Sequence, residues 1–178
     1  SSGGGIFGGG GSVGGGAIKG PISGAVAFID VNDDGQLDVS TEPYAYTDDD
    51  GNYTITTNGE TGPIVVITDA GATGLTINAV DTSTSQALSN VTLSAPAGAT
   101  VVTPTTTVVK ELSSQGVSAA EVADALGLDG IDILNFNPFA DGADAADALK
   151  AEQVASQVMS TVNTLATTAA SAGSTGTN

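Results

Sequence analysis

Asp30, Asn32, Asp34, Gln36 and Asp38 place an oxygen-bearing side chain at every second position of one short segment, and Glu42 follows close behind. Donors in that alternation suit a hard divalent cation, because alternate side chains turn inward as the segment wraps and carboxylates supply the charge that calcium needs. Counted from Asp30, Asn32 and Asp34 fall third and fifth, Gly35 at the sixth place permits the turn, Gln36 offers its backbone carbonyl, and Asp38 is ninth. The pattern then leaves that of a helix-loop-helix calcium loop, since Thr41 is twelfth and Glu42 comes one place late. The preceding Val26-Ala27-Phe28-Ile29 reads as a strand, which sets aside a regulatory helix-loop-helix sensor. The spacing predicts a structural calcium site at a strand end. Its expected ligands are Asp30, Asn32, Asp34, the Gln36 carbonyl and Asp38, completed by Glu42 or another carboxylate, with Val31 and Leu37 anchoring the loop to the core. The alternative is an acidic surface loop that holds no ion.

A second acidic run, Asp48-Asp49-Asp50-Gly51-Asn52, precedes a tyrosine-containing strand. It reads either as an Asx-stabilised hairpin turn or as a place where Asp48 or Asp50 completes the first site or helps hold a second ion.

Other chemistry is poorly supplied. The 178 residues contain no histidine and no cysteine, which removes the commonest general base, the usual zinc ligands, thiol nucleophiles and any Ser-His-Asp arrangement. Lys19, Lys110 and Lys150 stand in no phosphate-loop pattern. Acids are numerous enough for a glycosidase pair, but Tyr44, Tyr46 and Tyr53 with no tryptophan make a poor platform for sugar rings. The expectation is no enzyme. With 20 acidic and 3 basic residues, the net charge of -17 excludes nucleic acid as a partner and makes the compact chain repel itself, a penalty that bound divalent cations would relieve. No apolar run reaches the roughly 18 residues of a membrane span, so membrane insertion is not expected. Ser1 in place of a start methionine fits either a removed signal segment or a piece of a longer chain.

The elements that must position the loop follow from the periodicity. Residues 1–21 are glycine-rich and read as a flexible arm, while Ile6, Phe7, Val13, Ala17 and Ile18, which punctuate it, leave insertion against a neighbouring subunit or domain as the alternative. From 22 to 103 the pattern is β, with runs at 26–29, 52–57, 63–68, 75–80, 91–93 and 100–102, and a small β-sandwich is expected because one sheet alone would leave an apolar face wet. Beyond Thr103-Pro104 the period lengthens. Helices are expected over 105–114, from a Ser118–Glu121 capping box to Gly127, and from about Asp141 or Ala143 to Ala169, with Ile133, Leu134, Phe136 and Phe139 packing them onto the sandwich. Residues 171–178 read as a terminal linker.

The stretch from Gly24 to Asp38, then Glu42-Pro43 and Thr47 to Tyr53, resembles the calcium-binding B-type repeats of bacterial surface adhesins. The resemblance covers residues 22 to about 57. It implies a β-sandwich, immunoglobulin-like or prealbumin-like, rigidified by calcium through Asp30, Asn32, Asp34, Asp38 and Glu42. Val102 to Val109 and Ala125 to Leu128 are similar to helical pieces that follow such modules in large secreted bacterial proteins. The expected role is an extracellular structural protein that assembles with copies of itself into a calcium-stabilised filament, surface layer or biofilm matrix. Two alternatives remain: an adhesive or spacer module of a long surface protein that meets cell-surface or matrix components, and a carbohydrate-binding module of a secreted enzyme.

Overall fold

The computed structural model describes residues 11–140, 142–155 and 157–158. Ile6 and Phe7 of the expected arm, Asp141, the continuation of the last helix with Met159, Val162 and Leu165, and the stretch 171–178 lie outside the described residues.

Strands come first and helices follow: β1 (Gly11–Ala17), β2 (Ile22–Ser23), β3 (Val26–Ile29), β4 (Tyr44–Tyr46), β5 (Asn52–Thr57), β6 (Ile64–Ile67), β7 (Ala79–Asp81), β8 (Gln86–Leu88), β9 (Thr92–Ala95), β10 (Val101–Val102), α1 (Pro104–Ser113) and α2 (Ala119–Ala125). Residues 145–155 are again helical, started by Asp144, whose Oδ1 accepts from the amides of Ala146 and Asp147. The described strands form sheets in the orders β4-β3-β6-β9, β10-β1-β5 and β2-β7-β8. One buried cluster draws on all of them, through Ala27, Ile29, Val66 and Leu93, through Tyr53, Ile55 and Val102, and through Ile22 and Ala79.

Residues 11–17 are not a free arm. They form the middle strand of their sheet, antiparallel to β5 from Gly11↔Thr57 to Gly16↔Asn52 and parallel to β10 at Gly16↔Val101. Glycine gives almost no strand signal of its own, so the partners decide the pairing. At Gly15 glycine is required, because a β-carbon there would come 2.7 Å from the Thr100 carbonyl oxygen and 2.8 Å from Cζ of Tyr53. The ring of Tyr53 is 3% exposed, and its hydroxyl is a buried side-chain polar atom with no hydrogen-bond partner among the described residues. Burial also pushes the pKa of that hydroxyl up, so it stays neutral. Tyr53→Phe is therefore expected to leave stability unchanged or raise it by about 1 kcal/mol, because a buried hydroxyl that pairs with nothing is a net cost. A thermal melt of the variant checks this, and a clear loss would mean that the hydroxyl has a partner.

The helical half is fastened to the strands by threonines. Thr103 caps α1 and shares a capping box with Thr106. The Ser94 amide on β9, the edge strand of its sheet, donates to Thr107 Oγ1 at 2.9 Å, and Thr106 Oγ1 donates to the Ser94 carbonyl at 2.8 Å. Two side chains from the first turns of the helix thus satisfy main-chain groups that an edge would otherwise leave bare. A second cluster of Val109, Val122, Ala123, Leu128 and Ile133 holds α1 and α2 together, and Leu134 packs against both clusters. The Leu134 carbonyl also accepts from the Thr100 and Val101 amides. Phe139, expected in this packing, is instead 38% exposed.

Candidate calcium site

β3 and β4 are antiparallel neighbours, Phe28 opposite Tyr44, and residues 30–43 connect them at one end of the sheet. The Asp30 amide is still tied to the sheet, donating to the Pro63 carbonyl at 2.9 Å, and its side chain is fully buried. Both carboxylate oxygens face back into the loop. Oδ1 accepts from the Asp34 amide at 3.1 Å and Oδ2 from the Gly35 amide at 2.8 Å. Asn32 Oδ1 approaches the same Asp34 amide at 3.3 Å, while Asn32 Nδ2 donates to Asp34 Oδ2 at 3.0 Å. Asp34 Oδ1 accepts from the Gln36 amide at 2.8 Å. The backbone reaches this form through positive φ at Asp33 (57°) and Gly35 (74°), the second at the place where the spacing demanded glycine.

The later residues take other roles. Glu42 is 5% exposed and closes the loop from within, Oε1 accepting from the Val31 amide and Oε2 from the Asp38 amide, each at 2.9 Å. Asp38 is turned to Ser40, whose hydroxyl and amide donate to Oδ1 at 2.5 and 2.9 Å and hold its carboxyl below the usual range. Asp34, Gln36 and Asp38 nevertheless line one open surface depression, together with Thr73. Of the expected anchors, Leu37 is half-buried while Val31 is 47% exposed, so Glu42 holds the loop where Val31 does not.

Asp48 and Asp50 are not brought to this loop. They follow β4 at its far end, about 10 Å away by the rise of a strand. Asp48 Oδ1 accepts from the Asp50 and Asn52 amides, both at 2.9 Å, which is the Asx-stabilised turn, and the side chain of Asp50 is exposed.

A cation missed by the spacing argument does approach the loop. Lys110 Nζ on α1 lies 2.8 Å from Asp33 Oδ1. That hydrogen bond, with the charges of Asp33, Glu111 and Asp30, raises the lysine's pKa. The Asp33 side chain is 61% exposed, so the pair is worth little as stability, but it links the helical half to the loop. Lys110 is one of 3 basic residues in the chain, the only sequence signal that could have drawn notice to it.

As a calcium ligand set, the arrangement fits in its first half. Asp30, Asn32 and Asp34 bring oxygens to one place, and each carboxylate oxygen that accepts an amide keeps a lone pair for a metal. Among the described residues no group of three acidic side chains stands ready to hold a metal; Asp38 is turned to Ser40, and Glu42, like Asp30, binds an amide through each oxygen. No described helix is long and apolar enough to cross a membrane. Compared with family models, with curated proteins and with solved structures, the chain gives no match.

Proposed function

We propose that the chain is an extracellular structural module whose acidic loop takes calcium and which associates with copies of itself in a filament, surface layer or biofilm matrix. The observation that carries the reading is the fully buried Asp30 carboxylate at the end of β3, with Asn32 and Asp34 folded onto it by the loop's own amides. Asp30, Asn32, Asp34 and the Gln36 carbonyl would hold the ion, with Asp38 joining if it leaves Ser40. Bound calcium would supply positive charge to a chain of net charge -17, and the loop's residues would transmit that gain to the β3–β4 connection. On this reading the three sheets together make up the two layers of an immunoglobulin-like or prealbumin-like sandwich, and the protein is not an enzyme.

The test is thermal unfolding in calcium and in chelator. At a free calcium concentration a hundredfold above Kd, binding adds about 2.7 kcal/mol, a rise in Tm of roughly 5 to 10 °C for a chain of this size. Superimposable melts would remove calcium from the account. Electron microscopy and mass measurement of the calcium-loaded protein test association, and particles that remain single chains at every concentration would remove assembly.

A further inference from the structure

β1 is the first described strand of the chain, yet it occupies the centre of its sheet. β5 and β10 pair with β1 and not with each other, so the sheet exists only while β1 is in place. The slot between them is built for this one sequence. It offers main-chain groups on both sides, and it has the ring of Tyr53 where Gly15 alone can pass. The Tyr53 hydroxyl, buried and unpartnered, is part of the wall.

The strand brings little else. Gly11-Ser12-Val13-Gly14-Gly15-Gly16-Ala17 carries Val13 as its one large side chain, so its hold comes from hydrogen bonds and close fit, which would be the same for an identical strand from another molecule. Its connection to the body of the fold is short. Ile18 bridges back to Pro21 around a turn at Lys19 and Gly20, and the proline favours an extended path at the residue before it. Because β1 precedes every other described element and joins them through one tight turn, it can leave without unthreading any of them.

We propose that β1 is an exchangeable strand, and that its slot between β5 and β10 receives β1 of a second copy when chains associate. This rests on the self-association reading and supplies its contact. The hinge opens from a turn into an extended link, and donation proceeds head to tail, each copy giving its β1 to the next and receiving one from the last. A contact of that kind is heterologous and propagates into an open chain of subunits unless it closes into a ring. Concentration selects the form. A strand on a short tether has an effective concentration of the order of millimolar at its own slot. Dilute protein therefore stays closed, and exchange prevails where chains fold crowded together.

Ser12 and Thr56 are opposite each other in the β1–β5 register and both are exposed, and the chain has no cysteine of its own. Ser12→Cys and Thr56→Cys chains, one carrying a size tag, are unfolded together, refolded concentrated in calcium and oxidised. Exchange predicts that, under non-reducing conditions, both bands shift to one species containing one chain of each kind, and that thiol reverses the shift. The doubly substituted chain, refolded dilute, is expected to close its disulfide within itself; failure to close would overturn the β1–β5 pairing and the proposal with it. Assemblies that form without the mixed disulfide would overturn strand exchange and leave the proposed function standing. Single chains throughout would overturn both.

Discussion

Asp30→Ala is expected to lower Tm by roughly 10 °C and to abolish the difference between melts in calcium and in chelator. The carboxylate is fully buried and receives the amides of Asp34 and Gly35, so its removal leaves two main-chain donors at the base of the loop without their charged acceptor. Each such loss costs about 1–3 kcal/mol, and roughly 3 kcal/mol in total corresponds to that shift in a chain of this length. Asp30→Asn separates the contributions. It retains an acceptor oxygen but no charge, and should lose the calcium response with a smaller fall in Tm. Circular dichroism melts of the three proteins with and without calcium make the comparison. If Asp30→Ala melts with the parent protein under both conditions, the loop is neither a clasp nor a site.

Gly15→Val is expected to cost about 3 kcal/mol or to prevent folding, because the new side chain must displace the main chain at Thr100 and the ring of Tyr53 together. The neighbouring Gly14 provides the control. A β-carbon there meets nothing nearer than the Tyr53 carbonyl oxygen at 3.6 Å, an ordinary contact, so Gly14→Ala should be nearly neutral. Urea titration of both variants tests the pair, and equal effects would place β1 wrongly in the sheet. Gly15→Ala made in the Tyr53→Phe protein should cost less than in the parent, since the hydroxyl is the nearest obstacle, and the double-mutant cycle reads that coupling.

The elements legible in the sequence were those whose side chains alternate or repeat. Asn52 to Thr57 emerges as β5 with Tyr53, Ile55 and Thr57 buried in turn, and the Ser118–Glu121 capping box opens α2 as its spacing implies. β4 and β8 were not legible: three residues give too short a period, and Tyr44–Tyr46 and Gln86–Leu88 become strands through their partners. The run expected at 75–80 extends only from Ala79 in the fold, paired with β2 and β8. β1 was illegible for a different reason, since glycine bears no side chain to alternate and its fit is written in Tyr53 and Thr100, far along the chain. In the loop, spacing identified Asp30, Asn32, Asp34 and Gly35 as residues that fold together. It could not show that Ser40 would draw Asp38 aside or that Glu42 would spend both oxygens on amides, because such hydrogen bonds depend on the path the backbone takes after Leu37.

The threonine clasp on β9 bears on the order in which a growing or exported chain can become compact. Ser94 waits for hydroxyls at 106 and 107, and the opening strand waits for Val101 and Val102. A polypeptide emerging amino end first must therefore deliver residues up to Val102 before β1 gains its second partner and up to Thr107 before Ser94 is satisfied. Until then the edge of β9 and the sheet around β1 stay open, so full compaction waits for the later part of the chain.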